Sequence, residues 1–133
     1  MTSTPNITPI GPCSPFFIVS DIAASLAHYS GKLGFDVRYQ SPDDAPFFAI
    51  VGRGSAQLML KAIEGVDPVP NSRRHPWAKW DTFIFIDGPD ALAQEFVNCS
   101  VPFRCALGDT DDGLRGFEIT DPDGYVCFFG RPL

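Results

Sequence analysis

Few side chains in this 133-residue chain are of a type and spacing that could do chemistry, and they are scattered. Of the two histidines, His28 falls in a stretch with helical spacing, where a packed or half-exposed role is the ordinary one, and His75 sits in a proline-rich connector. The four cysteines, Cys13, Cys99, Cys105 and Cys127, show no C-x-x-C spacing, and no Cys/His pair lies close enough in sequence to suggest acyl transfer. Asp109, Asp111, Asp112 and Gly113 have the flavour of a calcium loop but lack its twelfth-position glutamate, so they read as a solvated hairpin loop. Asp81, at the start of an apolar strand, leaves two readings open. If buried, it needs a partner such as Arg115 or a cationic ligand; at the strand mouth it is simply wet. Arg115, set between two glycines, has a fork suited to an anionic group or to an ion pair with the acidic loop. Trp77 and Trp80 flank Lys79 and either line a pocket mouth or pack at a subunit contact. Neither a glycine-rich phosphate loop nor a nucleophile elbow is present.

The totals bound what can hold these residues. A chain of this length forms one domain, expected over 1–133, and buries roughly two-thirds of its unfolded surface. Twelve phenylalanines and 44% hydrophobic content suit a well-filled core. No apolar run reaches the ~18 to 20 residues of a membrane helix. The start, Met1 to Pro15, is rich in Thr and Pro with no Lys or Arg, unlike a secretory signal, and reads as a loose arm. Reduced thiols in a cytoplasmic protein follow from that. A net charge of -6 disfavours nucleic acid and anionic membranes as partners and is compatible with a cationic ligand.

Along the chain, Phe16–Val19 reads as a buried strand, followed by Asp21 as a helix N-cap. Ile22, Leu26, Tyr29 and Leu33 recur at helical spacing, and Gly34 stops that helix. Phe35, Val37 and Tyr39 alternate as a second strand, Phe47–Gly52 form a third and Ala56–Ala62 a fourth. Residues 63–79 read as a linker with the basic cluster Arg73-Arg74-His75. A strand over Thr82–Ile86 follows, and Asp87-Gly-Pro89 opens a helix carrying Ala91, Leu92, Phe96 and Val97. Val101–Cys105 reads as the next strand. The chain closes with a β-hairpin, Gly116 to Gly130, turned by Asp121-Pro122-Asp123-Gly124. Along its last strand Cys127 points to the helix-facing core and Phe128 to the opposite face.

The two halves align. Asp21 and Asp87 differ by 66, as do Leu26 and Leu92, Phe35 and Val101, and Val37 and Phe103. A shared strand, cap, helix, strand order at one offset is a divergent internal repeat. The expected fold is therefore α+β, two βαβββ modules each forming a mixed sheet, over about 14–62 and about 80–131.

Several stretches also resemble the glyoxalase/bleomycin-resistance/extradiol-dioxygenase superfamily, the vicinal oxygen chelate fold. They are Val19-Ser-Asp-Ile-Ala-Ala-Ser-Leu26, His28-Tyr29 with Leu33-Gly-Phe35, Gln57-Leu-Met-Leu60, Gly113-Leu-Arg-Gly-Phe117 and the Asp-Pro-Asp-Gly hairpin. The resemblance covers about residues 14–130 and favours the bleomycin-resistance-like branch. It implies two curled sheets, each a half-open trough, and a homodimer in which modules of two chains complete each trough. In metal-dependent members four inward residues, mostly His or Glu, hold one divalent ion. Carried over by motif, those positions are Ser14, Met59, Asp81 and Phe128. That set offers one anionic oxygen where a catalytic site takes three ligands or more, so no metal or other cofactor is expected.

With Met59 and Phe128 as its floor and Trp80 and Phe83 beside them, the trough reads as an apolar small-molecule site. These aromatics would equally serve as plain core filling. The favoured reading is a metal-free protein that binds a small, partly apolar ligand, with antibiotic sequestration as one form of it. The alternative is a lyase, isomerase or dioxygenase of the same superfamily, with Asp81 and Arg115 as its acid/base candidates. A third reading is an accessory subunit whose exposed aromatics meet a partner.

Overall fold

A computed structural model describes the chain over residues 6–133; residues 1–5, part of the expected arm, lie outside the described residues. The elements are β1 (Phe16–Val19), α1 (Ile22–Leu26, continuing as wider π turns over Ala27–Lys32), β2 (Asp36–Ser41), β3 (Phe48–Arg53) and β4 (Ala56–Ala62). A short α2 (Asn71–Arg74) precedes β5 (Thr82–Phe85), α3 (Pro89–Asn98), β6 (Cys105–Asp109), β7 (Leu114–Thr120) and β8 (Val126–Pro132). They form two four-stranded mixed sheets of the same order, β1-β4-β3-β2 and β5-β8-β7-β6, with the first strand of each parallel to its neighbour. No helix among the described residues is long and apolar enough to cross a membrane.

Local chemistry accounts for most boundaries. The Asp21 carboxylate accepts from the Ala23 and Ala24 amides at 2.9 and 3.4 Å, which satisfies two orphan donors of the first turn. The helix widens after Leu26, where Leu33 N–H reaches the His28 carbonyl, five residues back, at 3.0 Å. That widening lets both Tyr29 and Leu33 point into the core, where neither is exposed. Gly34 then leaves the helix at a φ of 72°.

Two expectations are corrected. The strand anticipated over Val101–Cys105 starts at Cys105 and runs to Asp109. Val101 is instead held by its amide on the Phe96 carbonyl at 3.0 Å, as the tail of α3, and pairing with β7 begins at the Arg104 amide, which donates to the Glu118 carbonyl at 2.8 Å. The anticipated linker also carries α2, seeded where the Arg73 amide turns back onto the Pro70 carbonyl at 3.0 Å.

One face of each sheet is spent on a single shared core. Phe17, Val19, Leu58 and Leu60 supply it from the first sheet, and Phe117, Ile119, Cys127 and Phe129 from the second. Phe96 of α3 sits edge-on to both Phe117 and Phe129, with centroids 5.7 and 5.4 Å away. The Phe17 and Tyr125 rings stack at 4.2 Å across the seam between the repeats, and the Tyr125 hydroxyl donates to the Ile18 carbonyl at 2.7 Å.

A further bond across the seam is buried. Tyr29 of α1 donates its hydroxyl to Asp121 Oδ2 at 2.8 Å, while Asp121 Oδ1 accepts from the Asp123 and Tyr125 amides, each at 2.9 Å. Burial pushes the Asp121 carboxyl up to about 6 against the pull of those three donors. It also raises Tyr29 well above the usual phenol range, and Cys127 beside it to about 12, which leaves that thiol unreactive.

A test follows from the sign of the Asp121 shift. Its folded-state pKa lies above the unfolded one, so its contribution is complete below about pH 4 and is lost as pH rises through about 6. Stability measured by denaturant should therefore favour wild type over Asp121→Asn by roughly 2 to 3 kcal/mol more at pH 4 than at pH 7.5, two pKa units' worth of linkage. A difference that stays flat between those pH values would show that Asp121 does not titrate in this way.

Candidate functional site

With one face of the second sheet committed to the core, the other carries a different set of side chains. Strand register places Phe83, Phe128, Glu118 and Cys105 in one row across that face, and Phe85, Gly130, Gly116 and Gly108 in the next. The glycines make room for an aromatic ring laid flat on the sheet. A Cβ at Gly116 would come within 2.7 Å of the Phe128 ring, and one at Gly130 within 2.4 Å. Phe128 thus lies over bare backbone, 2% exposed, with Phe83 at 5.0 Å and Trp80 at 5.3 Å between ring centroids. Trp80 is in turn edge-on to Phe83 at 5.3 Å, and Phe83 meets Phe85 at 4.4 Å.

Against this platform lies a hollow of ≈ 610 Å³, lined by Trp80, Phe128, Leu114, Arg104, Glu118 and Lys79 among others. Its polar groups are tied together. Arg104 pairs with Glu118 and gives a second bond to the Lys79 carbonyl at 3.0 Å. Lys79 reaches Asp112 at 2.7 Å, and that bond, with a further one from the Thr110 hydroxyl, draws the Asp112 carboxyl down to about 2. The hollow therefore offers aromatic faces plus a few oriented charges, which can hold and orient a small apolar molecule. Arg104 and Glu118 are the residues that sequence reasoning missed. Glu118 was findable, since a polar residue between core-facing Phe117 and Ile119 must point the other way.

Of the residues singled out from sequence, the structure brings together Trp80, Phe83 and Phe128. Met59 sits on the other sheet, in register with Phe16 and Ile50 on its open face. Ser14 accepts a bond from Gln57 Nε2 at 3.3 Å beside the same sheet. Asp81 does not meet Arg115. Its two oxygens accept the Asn71 and Val126 amides, each at 2.8 Å, so the carboxylate ties α2 to the start of β8. Arg115 lies on the helix side, forked onto Asp90 of α3 through Nε and Nη2 and onto Asp109 through Nη1, all at 2.8 Å. Those bonds hold the guanidinium pKa above its usual value and the Asp90 carboxyl below its own. The proposed acid/base pair is therefore not assembled.

His28 packs edge-on against Tyr29 at 4.8 Å, and burial, with Lys32 nearby, lowers it to about 4. Among the described residues no three His, Cys, Asp or Glu side chains converge where an ion could be held, so the donors present do not fit a divalent metal.

A second hollow, ≈ 640 Å³, runs along β5 on the other side of the platform. Its walls include Phe83, Phe85, Ile84 and Leu92, and across it Arg53 grips Glu95 through two bonds of 2.7 and 2.8 Å. That pair joins the β3–β4 hairpin to α3, raising the Arg53 pKa and lowering that of Glu95. The slot is the larger of the two, but its charged groups are engaged in holding the repeats together.

Known structures share this architecture. A bleomycin-binding protein complexed with bleomycin superposes with a TM-score of 0.70 at 18% identity, over 93% of this chain and 100% of that one. The bleomycin-binding protein from bleomycin-producing Streptomyces verticillus, complexed with copper(II)-bleomycin, gives 0.68 at 22% identity, over 93% and 97%. TioX from Micromonospora sp. ML1 gives 0.70 at 16% identity, over 90% and 97%. At these identities the likeness is one of fold. No curated protein matches the sequence. The sequence profile of the Glyoxalase/Bleomycin resistance protein/Dioxygenase superfamily matches residues 10–128, and with two like-ordered mixed sheets built on an internal repeat, the chain belongs to that superfamily.

Proposed function

We propose that this protein binds a small, partly aromatic molecule on the open face of its second sheet, without a metal, as a sequestering or carrier protein. The observation that carries the reading is the Phe128 ring lying flat over Gly116 and Gly130 at the edge of a hollow. Core filling alone gives no reason to clear two neighbouring strands of side chains on the face away from the helices. Three aromatic rings gather on that bare strand surface, Trp80 edge-on to Phe83 and both tilted against Phe128, and form an apolar platform. The Arg104–Glu118 pair beside it supplies the polar handle that fixes orientation. The bleomycin-binding neighbours support a small-molecule ligand for this fold. Four free cysteines suit a reducing, cytoplasmic setting.

The acting unit is a homodimer in this reading. Phe16 and Tyr39 on the open face of the first sheet are 51% and 53% exposed, and Phe85 at the free edge of β5 is 72% exposed. Apolar rings on an open face and an unpaired strand edge are surfaces that a second copy covers. Sedimentation equilibrium should give twice the 14.5 kDa chain mass. A monomer at micromolar concentration would remove the dimer from the proposal.

The hollow itself is tested with the neutral dye N-phenyl-1-naphthylamine. Wild type should bind it with a blue-shifted emission, Trp80→Ala should weaken binding at least tenfold, and EDTA should change neither result. Unaltered affinity in Trp80→Ala would place the dye elsewhere and refute the site. Asp81→Asn separates platform from scaffold. It turns an N–H donor toward a backbone amide that now has an acceptor, so stability should fall by about 1 to 3 kcal/mol. Dye affinity, measured well below the melting transition, should stay within about twofold of wild type, because Asp81 acts through backbone. A large loss of affinity with unchanged melting would instead put Asp81 in contact with the ligand.

A further inference from the structure

The segment leading into the hollow differs in composition from the rest of the chain. Residues 68–80 contain no carboxylate but include Arg73, Arg74, His75 and Lys79, in a protein whose net charge is -6. The cations nearer the platform are neutralised: Lys79 by Asp112, Arg104 by Glu118 and Arg115 by Asp90 and Asp109. Arg73 and Arg74 are exposed and enter no ion pair among the described residues; Arg73 gives one bond to the Pro68 carbonyl at 3.0 Å. Beside them Trp77 is 76% exposed, stacked on the His75 ring at 4.7 Å and 16° between planes. An indole this exposed leaves its outer face free to stack on a docked ring.

The backbone brings this surface to the hollow. The Ala78 amide bonds the His75 carbonyl at 3.0 Å, closing a turn whose ends lie within about 7 Å of each other. Ala78, Lys79 and Trp80 line the hollow. Trp77 is three residues from Trp80, no more than about 11 Å along the backbone. The rim segment with Arg73, Arg74, His75 and Trp77 thus runs directly into the lining residues Ala78, Lys79 and Trp80, and Asn71, at the head of the helix that carries the two arginines, donates to the Trp80 carbonyl at 3.2 Å.

We propose that this rim recognises an oxyanion, so that the ligand class is a planar aromatic acid: rings on the platform, a sulfonate, carboxylate or phosphate at the two free guanidinium groups, and Trp77 stacking on the part that reaches solvent. The inference rests on the reading of the hollow as the ligand site. It reverses what net charge suggests: of the four carboxylates lining the hollow, Asp109, Asp112 and Glu118 are ion-paired, which sets Asp111 alone against the two arginines, and charges farther off are screened beyond a Debye length of about 8 Å at physiological salt. Arg adds a bidentate fork for an oxyanion and a flat face for a ring.

Two dyes with the same fused-ring body test it on the full-length chain. 8-Anilinonaphthalene-1-sulfonate carries the anion, and N-phenyl-1-naphthylamine does not. The double variant Arg73→Gln/Arg74→Gln should weaken the sulfonate about tenfold and the neutral dye less than twofold. Salt at 0.3 M should weaken the sulfonate on wild type but not on the double variant. Trp77→Ala should weaken the sulfonate several-fold, and Trp77→Phe should restore most of that loss. Equal effects on both dyes, or an unchanged sulfonate affinity in the double variant, overturn the rim while the platform stands. Failure of both dyes to bind wild type sinks the platform and the rim with it. All the substituted side chains are exposed, so unchanged melting curves serve as the control for folding.

Discussion

Asp121 holds the Tyr29 hydroxyl of the first repeat with one oxygen and two amides of its own turn with the other, and it does so out of water. A carboxylate in that position is costly to bury unless each lone pair finds a donor, and here three donors converge on it. The geometry that satisfies it is demanding. The turn must close so that the Asp123 and Tyr125 amides point inward, and α1 must widen so that Tyr29 faces the second repeat. The stack of Phe17 on Tyr125 and the bond from Tyr125 to the Ile18 carbonyl fix the same seam from the side. The hairpin turn is thus the joint through which the two repeats share one core.

That joint decides which surfaces remain for function. Because the helix-side faces of both sheets meet in the core, the opposite faces are left over, and the proposed binding takes place on one of them. On the second sheet the leftover face carries glycines at Gly116 and Gly130, which cannot fill space, and one large ring laid across them. Substituting either glycine would force the ring off the strand or the strands apart, since backbone oxygens also stand within 2.3 to 2.5 Å of an added Cβ. Glycine there is explained by the ring, and the ring by what it presents to the hollow.

Much of this was legible in the sequence, wherever one short-range rule dominates. The Asp21 cap, the Gly34 stop, the Pro89 start of α3 and the Asp-Pro-Asp-Gly turn are all settled by neighbours within a few residues. The common offset exposed the repeat because β1 and β5 begin 66 residues apart. Phe128 came from the family resemblance, with Trp80 and Phe83 set beside it, whereas Met59, grouped with them, lies on the other sheet. What failed was long-range. Val101–Cys105 has strand composition, but the end of α3 captures Val101 before pairing begins. Asp81 reads as a reactive carboxylate until its two amide donors are seen, one of them 45 residues away. Arg115 and Asp81 differ in which face of the sheet they address, and β8 lies between β7, which carries Arg115, and β5, which Asp81 leads into, a relation set by long-range pairing that no local spacing rule reports.

Charge shows most clearly what a summed property conceals. The formal total of -6 points to a cationic ligand, yet of the four carboxylates lining the hollow three are occupied, Glu118 by Arg104, Asp112 by Lys79 and Asp109 by Arg115, leaving Asp111. A paired charge contributes little field at a distance, whereas an unpaired one acts at full strength on whatever docks beside it. In the segment leading into the hollow, the cations without an ion pair among the described residues are Arg73 and Arg74, on a four-residue helix that Asp81 anchors through the Asn71 amide. On the proposed reading Asp81 serves recognition at one remove: its carboxylate fixes the backbone that carries those cations, and both its oxygens are engaged by the Asn71 and Val126 amides.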